Sequence, residues 1–189
     1  MENCIEEKCH GYVIRICQDE NQLDPREWND CFGKMVCVHR RYKLGDPHDL
    51  SPQDIVAISG EPGVVALPIY LLDHSGLWMN THGFRDQDPQ GWDWGQVGII
   101  YADAEAIFKE FGTTDLTDDI RKRAEEILEG EVETYNRHLT GQVFGYVIEG
   151  PDGELVDSCW GFYEEPEKVL EQAKAIVKCL PYQLTLPAG

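Results

Sequence analysis

Hydrophobic and polar positions along the chain alternate in some stretches and recur at helical spacing in others. Residues 11–17 alternate and are rich in β-branched types, which predicts a strand. Residues 34–39 predict a second strand. Residues 64–72 read as a buried strand interrupted by Pro68, a residue that belongs at an edge or a bulge because it has no N–H to donate. Residues 96–101 predict another strand. Residues 143–148 and 154–163 predict a hairpin around a turn at Gly150-Pro-Asp-Gly153.

Helical signals gather in the second half. Pro25 starts a single helical turn. Residues 43–53, with Gly45, Pro47 and Pro52, read as a loop. Asp103 caps a short helix that ends at Gly112. Thr117 caps a longer one ending near Gly141, with an apolar stripe of Ile120, Ala124, Ile127, Leu128, Tyr135 and Leu139. Its other face carries Asp118, Glu125, Glu126, Glu129 and Glu133. Pro166 opens a last helix with Val169, Leu170, Ala173, Ile176 and Val177 on one side. The order of elements predicts one α+β domain over residues 1–189, a largely antiparallel sheet with two or three packed helices.

Composition sharpens the picture. The 42% hydrophobic content is enough for a core. No apolar run reaches the ~18 residues that span a bilayer. Residues 1–7 are acidic and lack an apolar signal region, so a cytoplasmic location in a bacterial host is expected. The formal net charge is -19. Such a charge repels nucleic acid and anionic membranes, and favours a basic partner. At the extreme it imitates a phosphate backbone. The seven cysteines are an odd set, read as free thiols of a reducing compartment. Cys4, Cys9, Cys31 and Cys37 are spaced more loosely than the Cys-x2-4-Cys pairs of structural zinc sites. No metal, cofactor or catalytic residue is assigned, and homodimerisation is left open.

The densest chemistry lies between residues 70 and 98. Asp73, His74, Asn80, Trp92, Asp93, Trp94 and Gln96 mix planar faces with orienting polar groups, as a ligand-binding wall requires. Against this stands an ordered loop pinned by its own tryptophans. Arg40 and Arg41 form the dense basic patch of the first half and suit a phosphate-bearing ligand, or else neutralise acidic surface. Asp73-His74-Ser75 holds the residue types of a hydrolytic triad, but neighbours on a strand point to opposite faces. Ser158-Cys159-Trp160 is similar to the nucleophile segment of papain-like proteases, yet no histidine follows it.

Blocks at residues 25–28, 35–46, 67–76, 92–98 and 135–163 resemble a group of small acidic proteins encoded by bacteriophages and integrative elements. The likeness runs roughly from Asp24 to Tyr163. It implies an accessory protein of a mobile element, and no catalytic residue carries over from it. Three readings follow. The first is an inhibitor that binds a host defence or nucleic-acid-binding protein through an acidic, nucleic-acid-mimicking surface at Asp118, Glu125, Glu126, Glu129 and Glu133. The second is a binding module that sequesters a nucleotide or signalling ligand in a Trp-rich pocket. The third is a small hydrolase or transferase using His74 or Cys159.

Overall fold

The computed structural model describes residues 4–181. They form four α-helices and eight strands in two antiparallel sheets, an α+β fold. The chain divides into two compact units. One is Asp24–Thr140, and the other joins Met1–Leu23 to Gly141–Gly189.

In the Asp24–Thr140 unit a four-stranded sheet has the order β3-β6-β4-β5. Its strands are β3 (Lys34–Cys37), β4 (Val65–Asp73), β5 (Leu77–Asn80) and β6 (Trp94–Ala102). Alternate residues feed two faces, the period-2 geometry of a pleated strand. Met35, Val65, Ile69 and Ile100 meet Ala124, Leu128, Val132 and Tyr135 of helix α3 (Asp118–Leu139). Val36 and Ile99 face Ile55 of helix α1 (Pro52–Ser59). Apolar residues on both faces explain why β6 reads as a continuous hydrophobic run. Helix α2 (Ala104–Phe111) begins at its Asp103 cap and adds Ile107 to the α3-side core.

Two sequence expectations are refined here. On α3, Ile120 and Ile127 are only half-buried, and the inner line is Ala124, Leu128, Val132 and Tyr135. Pro68 pairs with Ile99 on the β6 side, while β5 joins β4 only from Tyr70 onward. At Pro68 the other side of β4 is therefore an edge, and the irregular register falls just after it, at Ile69/Tyr70.

The second unit has the strand order β1-β2-β7-β8, with β1 (Ile5–Cys9), β2 (Tyr12–Gln18), β7 (Phe144–Glu149) and β8 (Leu155–Phe162). Helix α4 (Pro166–Lys178) lays Val169, Ala173 and Val177 on Tyr12, Ile14, Ile16, Tyr146 and Ile148. The single sheet expected from the sequence is thus two sheets. Each has its own apolar face and its own amphipathic helix to cover it. β1 escaped the sequence reading because Glu6, Glu7 and Lys8 mask it. It turns into β2 through His10 and Gly11, both at positive φ (51° and 86°), as a tight two-residue hairpin requires. Cys4 and Cys17, expected as free thiols, are joined by a disulfide across this strand pair.

A charged side chain, that of Arg26, is buried in the Asp24–Thr140 unit. Asp24 caps the short 3-10 turn Pro25–Glu27 by accepting from Arg26 N. The Arg26 side chain is 4% exposed and bonds Asp46 at 2.8 Å and Glu131 at 2.9 Å. Its Nη2 also donates to Gly33 O. Glu131 accepts from the N–H groups of Phe32 and Gly33, and Asp46 from that of Met35. Burial alone would lower the Arg26 pKa, but its bonds to Asp46 and Glu131 outweigh that and raise it. Removing one member of such a buried set leaves uncompensated charge, which costs about 3–5 kcal/mol. Arg26→Ala is expected to lower unfolding free energy by about that much in urea titrations. Lys43→Ala, at an exposed site, should change it by less than about 0.5 kcal/mol. Equal effects of the two would refute the network's structural role.

Candidate functional site

Three segments of the Asp24–Thr140 unit converge on one cleft. The first follows β3. Val38 N donates to Val97 O at 2.7 Å and prolongs the pairing with β6. The chain then turns at His39, whose Nδ1 accepts from the N–H groups of Arg41 and Tyr42. The His39 and Tyr42 rings stack at 5.0 Å. Arg41 lies over the Tyr42 ring and pairs with Asp73. Arg40 is exposed and makes no ion pair among the described residues.

The second segment is the end of β4. Asp73 receives Arg41, and its own N–H donates to Asp93 O at 2.8 Å. Ser75 and Gly76, both at positive φ, turn the chain back into β5.

The third segment, residues 81–93, is organised by Asp88. Its carboxylate accepts from the backbone N–H groups of Gln90, Gly91, Trp92 and Asp93. Its carbonyl accepts from Trp94 Nε1 at 2.8 Å. Trp94 is further held edge-on by Tyr70 and Phe84. A Cβ at Gly83 would come within 2.7 Å of the Trp94 ring, and Gly83 has φ +83°, so glycine is required there. Trp94 is therefore a fixed wall. Trp92, held only through its backbone, is 83% exposed.

The resulting cleft has a volume of about 380 Å³ and is lined by Arg40, Arg41, Asp73, Trp92, Asp93, Trp94 and Gln96, together with Val38, Leu71 and Val97. A second hollow of about 400 Å³ lies on His39, Arg40 and Arg41, so the basic end continues beyond the aromatic one. Gln96 donates Nε2 to Gly98 O, which leaves its Oε1 as an acceptor. The basic patch and the Trp-rich segment, Arg40 and Trp92 being more than fifty residues apart in the chain, meet because β3 and β4 both pair with β6.

Other sequence candidates lie elsewhere. Asn80 is engaged by its own turn: its Oδ1 accepts from His82 N and Gly83 N, and its Nδ2 donates to Gly83 O. His74 does not line the cleft. Its Nδ1 contacts Asp93 Oδ2 at 2.7 Å, with the imidazole 69% exposed. Ser75 makes no hydrogen bond to that imidazole, so this pair lacks a nucleophile. Cys159 is exposed on β8, and among the described residues its sulfur hydrogen-bonds only the Trp160 carbonyl, at 3.9 Å. No group of three or more His, Cys, Asp or Glu among the described residues could hold a metal ion. Asp88, which shapes the cleft, was not among the sequence candidates. The Asp88-Pro-Gln-Gly91 turn composition was the available signal.

On α3, Asp118, Glu126, Glu129 and Glu133 are exposed, while Glu125 is half-buried. Glu126 pairs with Lys122 and Glu133 with Arg137, and Thr81 donates to Glu129. Arg123 is drawn onto the Phe111 ring, at 4.9 Å. No described helix is long and apolar enough to cross a membrane. Comparison with models of protein families, with curated proteins and with solved structures finds no match for the chain.

The bond from Asp93 N, with those from the neighbouring amides, holds the Asp88 carboxyl below its ordinary pKa. A depressed carboxylate stabilises the folded loop above the unfolded value and loses that effect as pH falls through the folded one. Amide exchange at Trp92 and Asp93 should thus stay slow from neutral pH through the ordinary Asp range near ~3.9, and quicken only below it, after correction for intrinsic rates. Asp88→Ala should show the fast exchange already at neutral pH. Unchanged protection in that variant would contradict the assigned role.

Proposed function

We propose that this chain acts by binding rather than by catalysis, as an accessory protein of a bacteriophage or integrative element. In this reading it works in the cytoplasm of a bacterial host, where it inhibits a defence or nucleic-acid-binding protein. The working surface is the outer strip of α3. The observation that carries the reading is the exposure of Asp118, Glu126, Glu129 and Glu133 along α3. Carboxylates three or four residues apart on a helix lie about 5–6 Å from one another. The 22 residues of α3 extend over about 33 Å. A net charge of -19 extends the field of that strip and steers a basic partner toward it. In a reducing cytoplasm the Cys4–Cys17 pair would be held as thiols.

A second reading has separate support. The cleft of Arg40, Arg41, Trp92, Trp94 and Gln96 suits a module that sequesters a nucleotide or signalling ligand.

The first reading is tested with the immobilised protein and nuclease-treated host lysate, followed by association kinetics with any captured protein. Association should slow by about tenfold or more between about 0.01 M and 1 M salt, as the screening length falls from about 30 to 3 Å. The combined changes Glu126→Lys, Glu129→Lys and Glu133→Lys should slow it further, with those at Glu126 and Glu129 each costing under about 0.5 kcal/mol of stability and that at Glu133 more, because it faces the largely buried Arg137. Capture that ignores both salt and charge reversal would exclude the acidic strip as the binding surface.

A further inference from the structure

We infer that the cleft takes a free nucleoside phosphate, with the base stacked on Trp92 and the phosphates on Arg40 and Arg41. This deepens the second reading above and is independent of the acidic strip on α3.

Five observations converge on that ligand class. Trp92 presents a bare indole, 83% exposed, from a backbone fixed by Asp88. An ordered aromatic face turned to solvent offers stacking to any planar ring. Arg41 is already positioned by Asp73 and Tyr42, whereas Arg40 keeps its whole guanidinium uncommitted. A fork of donors of that kind matches phosphate oxygens. The hollow on His39, Arg40 and Arg41 extends the basic end beyond the aromatic one, giving room for a phosphate chain. His39 Nδ1 accepts two backbone N–H groups, so in the neutral ring Nε2 carries the proton, a further donor at that end. Asp93 Oδ1 and Gln96 Oε1, unused as acceptors among the described residues, suit ribose hydroxyls and a base amino group.

Overall charge selects a small ligand over a polymer. A nucleic acid would lie along a protein surface of net charge -19 and be repelled beyond the cleft. A nucleotide meets only the local balance, in which Arg40 and Arg41 face Asp73 and Asp93. At about 380 Å³ the cleft falls within the about 300–1,000 Å³ range of small-molecule sites.

The test is calorimetric titration of the full chain with ADP, GDP, CDP and UDP, and with adenosine, inorganic pyrophosphate and a short single-stranded oligonucleotide. At least one diphosphate should bind. Adenosine, pyrophosphate and the oligonucleotide should each bind about tenfold or more weakly than that diphosphate. Trp92→Ala should weaken the diphosphate by about tenfold while leaving pyrophosphate unchanged. Arg40→Ala should weaken the diphosphate and pyrophosphate but not adenosine. Both side chains are exposed and unbonded among the described residues, so melting temperatures should match the parent. The α3 triple reversal should leave nucleotide binding unchanged, which separates this inference from the acidic-strip reading. Absence of binding by all four diphosphates at millimolar concentration overturns it. So does diphosphate affinity that survives both cleft variants, or an oligonucleotide that binds better than the diphosphates.

Discussion

The Arg26 ion network is the interaction on which the Asp24–Thr140 unit depends. One guanidinium ties the 3-10 turn at Pro25–Glu27, the entry to β3, the loop at Asp46 and the middle of α3. The carboxylates it holds are themselves bonded to the N–H groups of Phe32, Gly33 and Met35. Each polar group removed from water there has a partner, which is the condition for burying charge without a large loss. Tyr135 reinforces the same corner, its hydroxyl accepting from Gly45 N at 3.1 Å. The start of β3 is consequently fixed against α3. The register of β3 on β6, Met35 opposite Ile100 and Cys37 opposite Gly98, delivers residues 38–41 to the rim of the cleft. Gly98 is needed for that register, since a Cβ there would lie 2.0 Å from Val36 O.

Preorganisation at the cleft is mostly electrostatic. Asp88 holds one wall by accepting backbone amides, and Asp73 holds the other by receiving Arg41 and Tyr42. These carboxylates are structural rather than free surface charge. The same holds more widely. Arg15, Arg26, Lys34, Arg41 and Lys174 are all committed to intramolecular pairs. Arg40 has no ion pair among the described residues, and unlike Arg85 and Arg121, which also have none, it lines the cleft.

Much of the fold was legible in local pattern. Caps at Asp103 and Thr117, the proline at the start of α4 and the alternation of β2 all act within a few residues, so periodicity and turn chemistry reveal them. Helix α1 was missed, because its Ser51–Asp54 capping box and Pro52 overlap the stretch at residues 43–53 that reads as a loop. β5 was hidden because Leu77–Asn80 is only four residues long and lies within the Trp-rich stretch. Its partner Tyr70 lies on the far side of the Ser75–Gly76 turn.

The sequence by itself determined the α+β class, the amphipathic helices, the charge excess and the residue types of the cleft. Each of these is a property of composition or of neighbours along the chain. Tertiary structure alone decided that the strands split into two sheets, because β2 pairs with β7, Val13 opposite Glu149, across the whole intervening stretch that holds the other sheet. It also decided which charges work inside the molecule. Glu131 reads as one more carboxylate of the acidic helix, yet it is the buried partner of Arg26, one hundred and five residues away. Arg40 and Trp92 became one site only because β3 and β4 both pair with β6, placing the loops at their ends together. Burial and long-range pairing set the energy of a charge, and neither is encoded in its immediate neighbours.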